Sequence, residues 1–433
     1  ADGKPGLDVV YYEDMEFQKE VVSFGRQPDN DIVLDLEFVS RIHGVFYMEE
    51  GIWYVQDLNS TNGILVNGNR VEQYAIEEGD CICIQEKKVM KKKYYLEVIR
   101  ILAILMVMYN HSAAFMSFSN QSGVEYAISF LFSMVCKGAV PLFFMVSGAL
   151  LLGKNESGKD LFQKRILRMI LVIVIFSFLY YMKLVLKGER PFTPFSFLLS
   201  LPTDLVYLPY WFLYSYLGVL TILPILRPLA QNMSKNTFWY LIILQILLDC
   251  LKPTAWVLWG YGLCGYYNFS GLFQYVFFYP LIGYGLDQYF SETKFLTPKN
   301  IGRNLAVFVA AVLTQMMVYK DYLSVGNYQE VYLGTWLSVP VIVIFLNTKL
   351  LFQEERLSER TKKILVSVGG CVFGCYLLGG FIGTGGRLDV IAGTLIPATG
   401  MLPAYIIEII IAFLIEVAVT LVLKKLPVFR KLL

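Results

Sequence analysis

Arg100 and His111 lie eleven positions apart in the stretch YLEVIRILAILMVMYNHS, residues 95–112. At about 100° per residue this spacing makes close to three helical turns, so the two side chains share one face. They stand roughly 16 Å apart along the axis. An imidazole with an ordinary pKa of about 6.5 is suited to general-base work at neutral pH. A guanidinium is suited to a phosphate-bearing ligand, because its planar fork matches phosphate oxygens. A structural reading competes with this one: a hydrogen-bonded packing histidine, and an arginine that snorkels to an interface. Glu97, one turn before Arg100, is placed to pair with it.

The element that must hold this pair is apolar, and so is most of the chain that follows. The 433 residues are 56% hydrophobic and only 17% charged, below the quarter or so that soluble domains carry. The bias begins near Tyr94. The sequence therefore divides into a head (1–86), a basic linker (87–93) and a membrane body (94–433). Apolar runs of about 20 residues predict spanning helices. Ten are expected, near 95–117, 124–152, 166–186, 209–226, 237–258, 270–288, 301–319, 333–350, 364–384 and 403–423. Clusters of Lys and Arg occur at every second connection, including KKVMKKK (87–93), KRILR (164–168) and KKLPVFRK (424–431). Lys187, Arg190 and Arg387 are exceptions. The positive-inside rule places both termini in the cytoplasm and the loop 383–400 outside.

Composition excludes several classes. A net charge of +2 argues against a nucleic-acid binder. Two histidines and seven cysteines without paired spacing predict no metal centre and no disulfide framework. No signal-peptide pattern opens the chain. Charged residues inside spans are costly and so become candidates. Asp249, Glu408, Glu416 and Lys137 qualify, without an evident partner in the sequence. Lys164, Arg165 and Arg168 head the third span. Topology alone explains basic residues there; a phosphate-binding mouth is the sharper alternative.

With Arg100 and His111 as its first element, the body resembles the acyltransferase family 3 membrane proteins. VPLFFMVSGALLL (140–152), with Ser147 and Gly148, is similar to the family's second-helix signature. KRILR, then YWFLYSYLGVLTILPILRPL (210–229) with Trp211, then YVFFYPLIGYGL (275–286), follow in the family's order. The resemblance covers most of residues 94–425. It implies an integral-membrane O-acyltransferase. Acetyl-CoA would approach from the cytoplasm, with Lys164, Arg165, Arg168 and Trp211 as donor-binding candidates. Arg100 would orient or neutralise the donor, and His111 would act on an acceptor hydroxyl of a cell-envelope glycan or related molecule. One departure stands out. Where many relatives carry a late Tyr-Leu-x-His element, CYLLGGFIG (375–383) has Gly379 and Gly380 and no histidine.

Residues 8–86 alternate as short strands: DIVLD, GVFYM, WYVQDL, ILVNG and CICIQ. This predicts a small β-sandwich. Gly25-Arg26, Ser40-Arg41-x-His43, Asn59 to Gly63 and Asn67-Gly68 together resemble a forkhead-associated (FHA) domain. The resemblance implies that Arg26, Ser40, Arg41, Thr61 and Asn62 contact a phosphothreonine peptide, with His43 supporting the loops. The physics agrees: Arg26 offers a charge-assisted fork, and NSTNG offers several donors on one turn.

The fold class is thus an all-β FHA sandwich followed by an all-α polytopic body. The leading function is a membrane O-acyltransferase of the bacterial cytoplasmic membrane, recruited or regulated through a phosphothreonine protein. The alternatives are a serine or small-molecule transporter, which predicts acyl-CoA-independent flux, and an inactive scaffold, in which only the head matters.

Overall fold

The structure, a computed structural model, describes residues 19–36, 38–67, 69–84, 92–112, 121–203, 205–259, 275–289, 298–324, 337–382 and 389–433. The chain divides into two compact units, Ala1–Lys92 and Lys93–Leu433.

In the first unit, strands β1 (Val21–Gly25), β2 (Ile32–Val33), β3 (Gly44–Glu49), β4 (Ile52–Asp57), β5 (Ile64–Val66), β6 (Asn69–Val71), β7 (Gln73–Ala75) and β8 (Ile82–Cys83) form two sheets. The larger sheet has the order β2-β1-β3-β4-β7 and the smaller has β6-β5-β8. β3 and β4 pair in register from Gly44↔Asp57 to Glu49↔Ile52. Glu50 (φ 51°) and Gly51 (φ 82°) make the connecting turn; two positive φ values match the twist of the flanking strands. Phe24 and Val55 of one sheet meet Ile64 and Val66 of the other in the core. Burial of each such side chain stabilises by about 1.5–3 kcal/mol. The expected strands are present. β1, β6 and β7 are additional; each is short and weakly alternating.

The second unit is helical. Its helices are α1 (Tyr94–Asn110), α2 (Gly123–Cys136), α3 (Ala139–Leu151), α4 (Gly158–Leu161), α5 (Leu167–Leu186), α6 (Pro194–Thr203), α7 (Trp211–Gln231) and α8 (Lys235–Trp259). They continue with α9 (Tyr275–Tyr289), α10 (Pro298–Ser324), α11 (Ser338–Leu351), α12 (Glu359–Gly369), α13 (Val372–Leu378), α14 (Asp389–Thr399), α15 (Met401–Leu423) and α16 (Pro427–Leu432). A π-helical turn, Phe162–Ile166, joins α4 to α5.

The expectation of ten spans is not confirmed. Among the described residues five helices are long and apolar enough to cross a membrane: Gly123–Leu151, Gly158–Leu186, Leu208–Gln231, Glu359–Leu378 and Met401–Leu423. Helices occupy the other expected positions: α1, α9 and α11 have 17, 15 and 14 described residues, and residues 113–120, 260–274, 290–297 and 325–336 near their ends lie outside the described residues. α8 and α10 are long but interrupted by polar residues such as Gln245, Arg303 and Gln315. Residues 383–388 of the expected outer loop, the side chain of Asp249 and most of the linker lie outside the described residues. The rest of that loop holds α14.

Helix α3 lies at the centre of this unit. Leu142, Phe144 and Met145 share a core with Ile99 and Ala103 of α1, Val219 and Leu220 of α7, and Leu281 and Ile282 of α9. A Cβ on Gly148 would lie 1.8 Å from the Pro280 carbonyl oxygen, and one on Gly283 would lie 2.0 Å from that of Met145. Small residues at these two positions let the α3 and α9 backbones touch.

Candidate functional sites: a two-loop phosphate cradle and the first membrane helix

In the head, two loops are stitched together by the residues singled out in the sequence. The Ser40 Oγ accepts the Thr61 amide at 2.9 Å. The Asn62 side-chain amide donates to the Phe38 carbonyl at 2.6 Å. Beneath them His43 is fully buried. Its Nδ1 accepts the Ser40 amide at 3.1 Å, and its Nε2 meets the Gly63 carbonyl at 3.2 Å. Nδ1 is therefore the acceptor, and Nε2 carries the single proton of a neutral ring. Burial pushes the His43 pKa below its usual value. The Arg26 amide donates to the Ser40 carbonyl at 2.9 Å, which joins the third loop to the other two. The Arg26 and Arg41 side chains are exposed, and neither has a partner among the described residues. The Ser40 and Thr61 hydroxyls lie 3.4 Å apart, on loops that also carry Arg26 and Arg41; hydroxyls and guanidinium groups are donors suited to a phosphate monoester. Asn62 instead spends its amide on holding the loops.

The turn itself has a backbone reason. Asn59 and Gly63 have φ of 60° and 81°, which asparagine and glycine tolerate best. The Ser60 Oγ accepts the Gly63 amide at 2.9 Å. The residues between are thereby held in one tight turn.

In the membrane unit, Arg100 lies on α1 and donates to Glu97 at 2.9 Å, the pairing expected from the sequence. His111 is the C-cap of α1, and its amide donates to the Val107 carbonyl at 3.1 Å. The helix expected over 95–117 ends at Asn110, so His111 sits at its terminus, with its side chain exposed among the described residues. Neighbouring Asn110 donates to the Cys136 carbonyl at 2.8 Å and ties this terminus to α2.

The basic candidates divide. Lys164 pairs with Asp160 at 2.8 Å in an exposed ion pair. Arg165 grips Glu156 through Nε at 2.8 Å, and Arg227 binds the same carboxylate at 2.8 Å. The two guanidinium groups, Arg165 first, hold the Glu156 carboxyl down at about 2. Arg168 donates to the Leu432 carbonyl at 3.0 Å. Trp211 begins α7, at the end away from Arg227; its ring meets Phe212, which contacts Phe143 of α3 and Tyr216.

One feature escaped the sequence reading. Tyr180, Tyr207, Tyr210, Tyr376 and Phe381 form a chain of ring contacts, with Tyr180 and Tyr207 stacked at 4.3 Å. Gly380, in the histidine-less segment, packs against Tyr180 and Tyr207. No spacing signal links these tyrosines, because they come from three separate stretches. Glu416, a candidate from the sequence, is fully buried, with neither oxygen hydrogen-bonded among the described residues. Glu408 is also buried on α15. Among the described residues no cluster of metal-ligating side chains occurs.

Comparison with known proteins assigns a family to each of the two units. The family described as Acyltransferase domain (Acyl_transf_3) matches residues 93–423, and the FHA domain family matches 22–85. The head is similar to the glycogen accumulation regulator GarA of Mycolicibacterium smegmatis, at 45% identity over 58 residues. That match covers 13% of this chain and 37% of the relative. The oxoglutarate dehydrogenase inhibitor of Corynebacterium glutamicum is 42% identical over 60 residues, 14% of this chain and 42% of the relative. The chain thus spans less than half the length of these curated relatives. Among solved structures, one from a study of phosphothreonine-dependent FHA domain interactions matches at 30% identity and a TM-score of 0.16. It covers 16% of this chain and 73% of the other. The protein is an FHA-bearing, multi-pass member of the acyltransferase family 3, and its head is of the kind that binds phosphothreonine.

Proposed function

We propose that this chain transfers an acetyl group from cytoplasmic acetyl-CoA to a hydroxyl of a cell-envelope glycan or related acceptor. The observation that carries this reading is Arg100 on α1 with His111 at the C-cap of the same helix, within a body of the acyltransferase family. His111 takes the proton of the acceptor hydroxyl as its oxygen bonds to the thioester carbonyl carbon. The carbon–sulfur bond then breaks, and the leaving thiolate recovers the proton from the imidazolium. Arg100 balances the donor's negative charge, exchanging Glu97 for phosphate. Lys164, Arg165 and Arg168 supply further positive charge at the same end. Trp211, at the start of α7, remains with them as a donor-binding candidate.

The protein lies in the bacterial cytoplasmic membrane with both termini inside; alternation of basic connections supports this orientation. The head then faces the compartment where acetyl-CoA and protein kinases operate, and a phosphothreonine protein docks on Arg26, Ser40, Arg41, Thr61 and Asn62. Relatives of the head named as a regulator and an inhibitor support a regulatory role.

The test is thiol release from acetyl-CoA by the purified protein in nanodiscs with envelope glycan fragments present. His111→Ala is expected to lower the rate by about 100-fold or more, the usual worth of a general base. Equal release by both proteins overturns the role of His111. No release by either moves the assignment to transport or scaffolding, and serine flux into proteoliposomes separates those two.

A further inference from the structure

The head carries a third arginine at the cradle that its phosphate-binding pattern does not use. Arg70 lies on β6, paired across the ladder with Leu65. Its guanidinium lies on the Gly63 backbone: a Cβ there would sit 2.5 Å from Nε and 2.8 Å from Nη2. Gly63 closes the recognition turn, accepts from the buried His43 ring and donates to Ser60. Arg70 is thereby held beside Thr61 and Asn62 by the one residue of the turn that has no side chain.

Nothing in the head satisfies this guanidinium. Arg70 is exposed and has no hydrogen bond, ion pair or ring contact among the described residues. Glu72, on the same side of the chain two positions on, does not pair with it. Lys19, by contrast, is paired with Asp31. Its five N–H donors are thus open to an incoming acceptor. Arg26, Arg41 and Arg70 are three free forks around one loop cluster, more positive charge than one phosphate monoester requires.

We propose that Arg70 forms a second anion site beside the phosphothreonine cradle and selects partners bearing another negative group close to the phosphothreonine. The chemistry is that of a carboxylate or a second phosphate, either of which fits the guanidinium fork bidentately. This rests on the reading of the head as a phosphothreonine binder. With about 3.5 Å per extended residue, four positions on either side of the phosphothreonine sample about 14 Å each way.

Fluorescein-labelled peptides, each with one phosphothreonine in an alanine–glutamine background, are titrated with the full-length protein in nanodiscs. Anisotropy is the readout. One set carries Asp at each of the four positions on either side; a second set carries a second phosphothreonine there. At least one placement is expected to tighten binding about fivefold, the worth of an exposed charge pair of about 1 kcal/mol. Arg70→Gln is expected to abolish that gain while the singly charged peptide binds as to wild type, and Arg70→Lys to keep part of it. The set that shows the gain identifies the anion. A gain that survives in Arg70→Gln, no gain at any placement, or equal loss for all peptides in Arg70→Gln overturns the proposal. Wild type binding no phosphothreonine peptide overturns the reading of the head as well; binding without gain overturns the role of Arg70 alone.

Discussion

The His43 ring holds one proton, on Nε2, and spends both nitrogens on joining the Ser40 loop to the Gly63 turn. Charging it would put a hydrogen on Nδ1, facing an amide that already donates. Burial lowers its pKa in the folded state, so the unfolded chain binds the proton more readily. Stability from this residue is therefore fully present above about pH 6.5 and declines as pH falls below the unfolded value. Hydrogen exchange of the Thr61 and Gly63 amides tests this. Their protection, corrected for intrinsic exchange, is expected to drop between pH 7.5 and 5.5 by about 1 kcal/mol. His43→Gln is expected to remove the pH dependence. A pH-independent protection in the wild type would contradict the tautomer assigned to this ring.

At the scale of elements, the Ser147–Gly148 step acquires a physical meaning. The Ser147 hydroxyl returns to its own helix, donating to the Phe143 carbonyl at 2.8 Å. Gly148 is the contact itself, since α9 leaves no room for a Cβ. Gly148→Val must separate α3 from α9 and disturb the most densely shared core of the membrane unit. The expected loss is about 3 kcal/mol, the upper range of overpacking costs. Gly302, on α10, has no heavy atom within reach of an added Cβ. Gly302→Ala is therefore expected to leave thermal unfolding in detergent unchanged or slightly raised. Equal effects at the two positions would remove the packing explanation of the signature.

For the whole molecule, the proposed orientation has a direct consequence at two connections. Lys235 follows α7 beside the Glu156–Arg227 cluster, whereas Arg190 follows α5 at the opposite end. In a background freed of native cysteines, Arg190→Cys is expected to react with an impermeant maleimide in intact cells. Lys235→Cys is expected to react only after permeabilisation. The reverse pattern would place the head outside, away from kinases and acetyl-CoA, and would end the proposed link between phosphorylation and acyl transfer.

Much of this protein was legible without coordinates. Alternating strands, turn residues with left-handed backbones and long apolar runs are local properties, so the division into a β head and a helical body follows from neighbours along the chain. The Arg26, Ser40 and Thr61 positions and the Glu97–Arg100 pair are local in the same way. What crosses between distant stretches was not legible. Glu156 binding both Arg165 and Arg227, Arg70 lying on Gly63, and five aromatic rings from three segments meeting at Gly380 each depend on how elements pack. Helix ends such as that at His111 were not legible either, because they are decided by capping and packing. Periodicity and composition are sums over adjacent residues and so survive in the sequence alone; pairings between elements are set by packing and charge, and only the tertiary structure decides them.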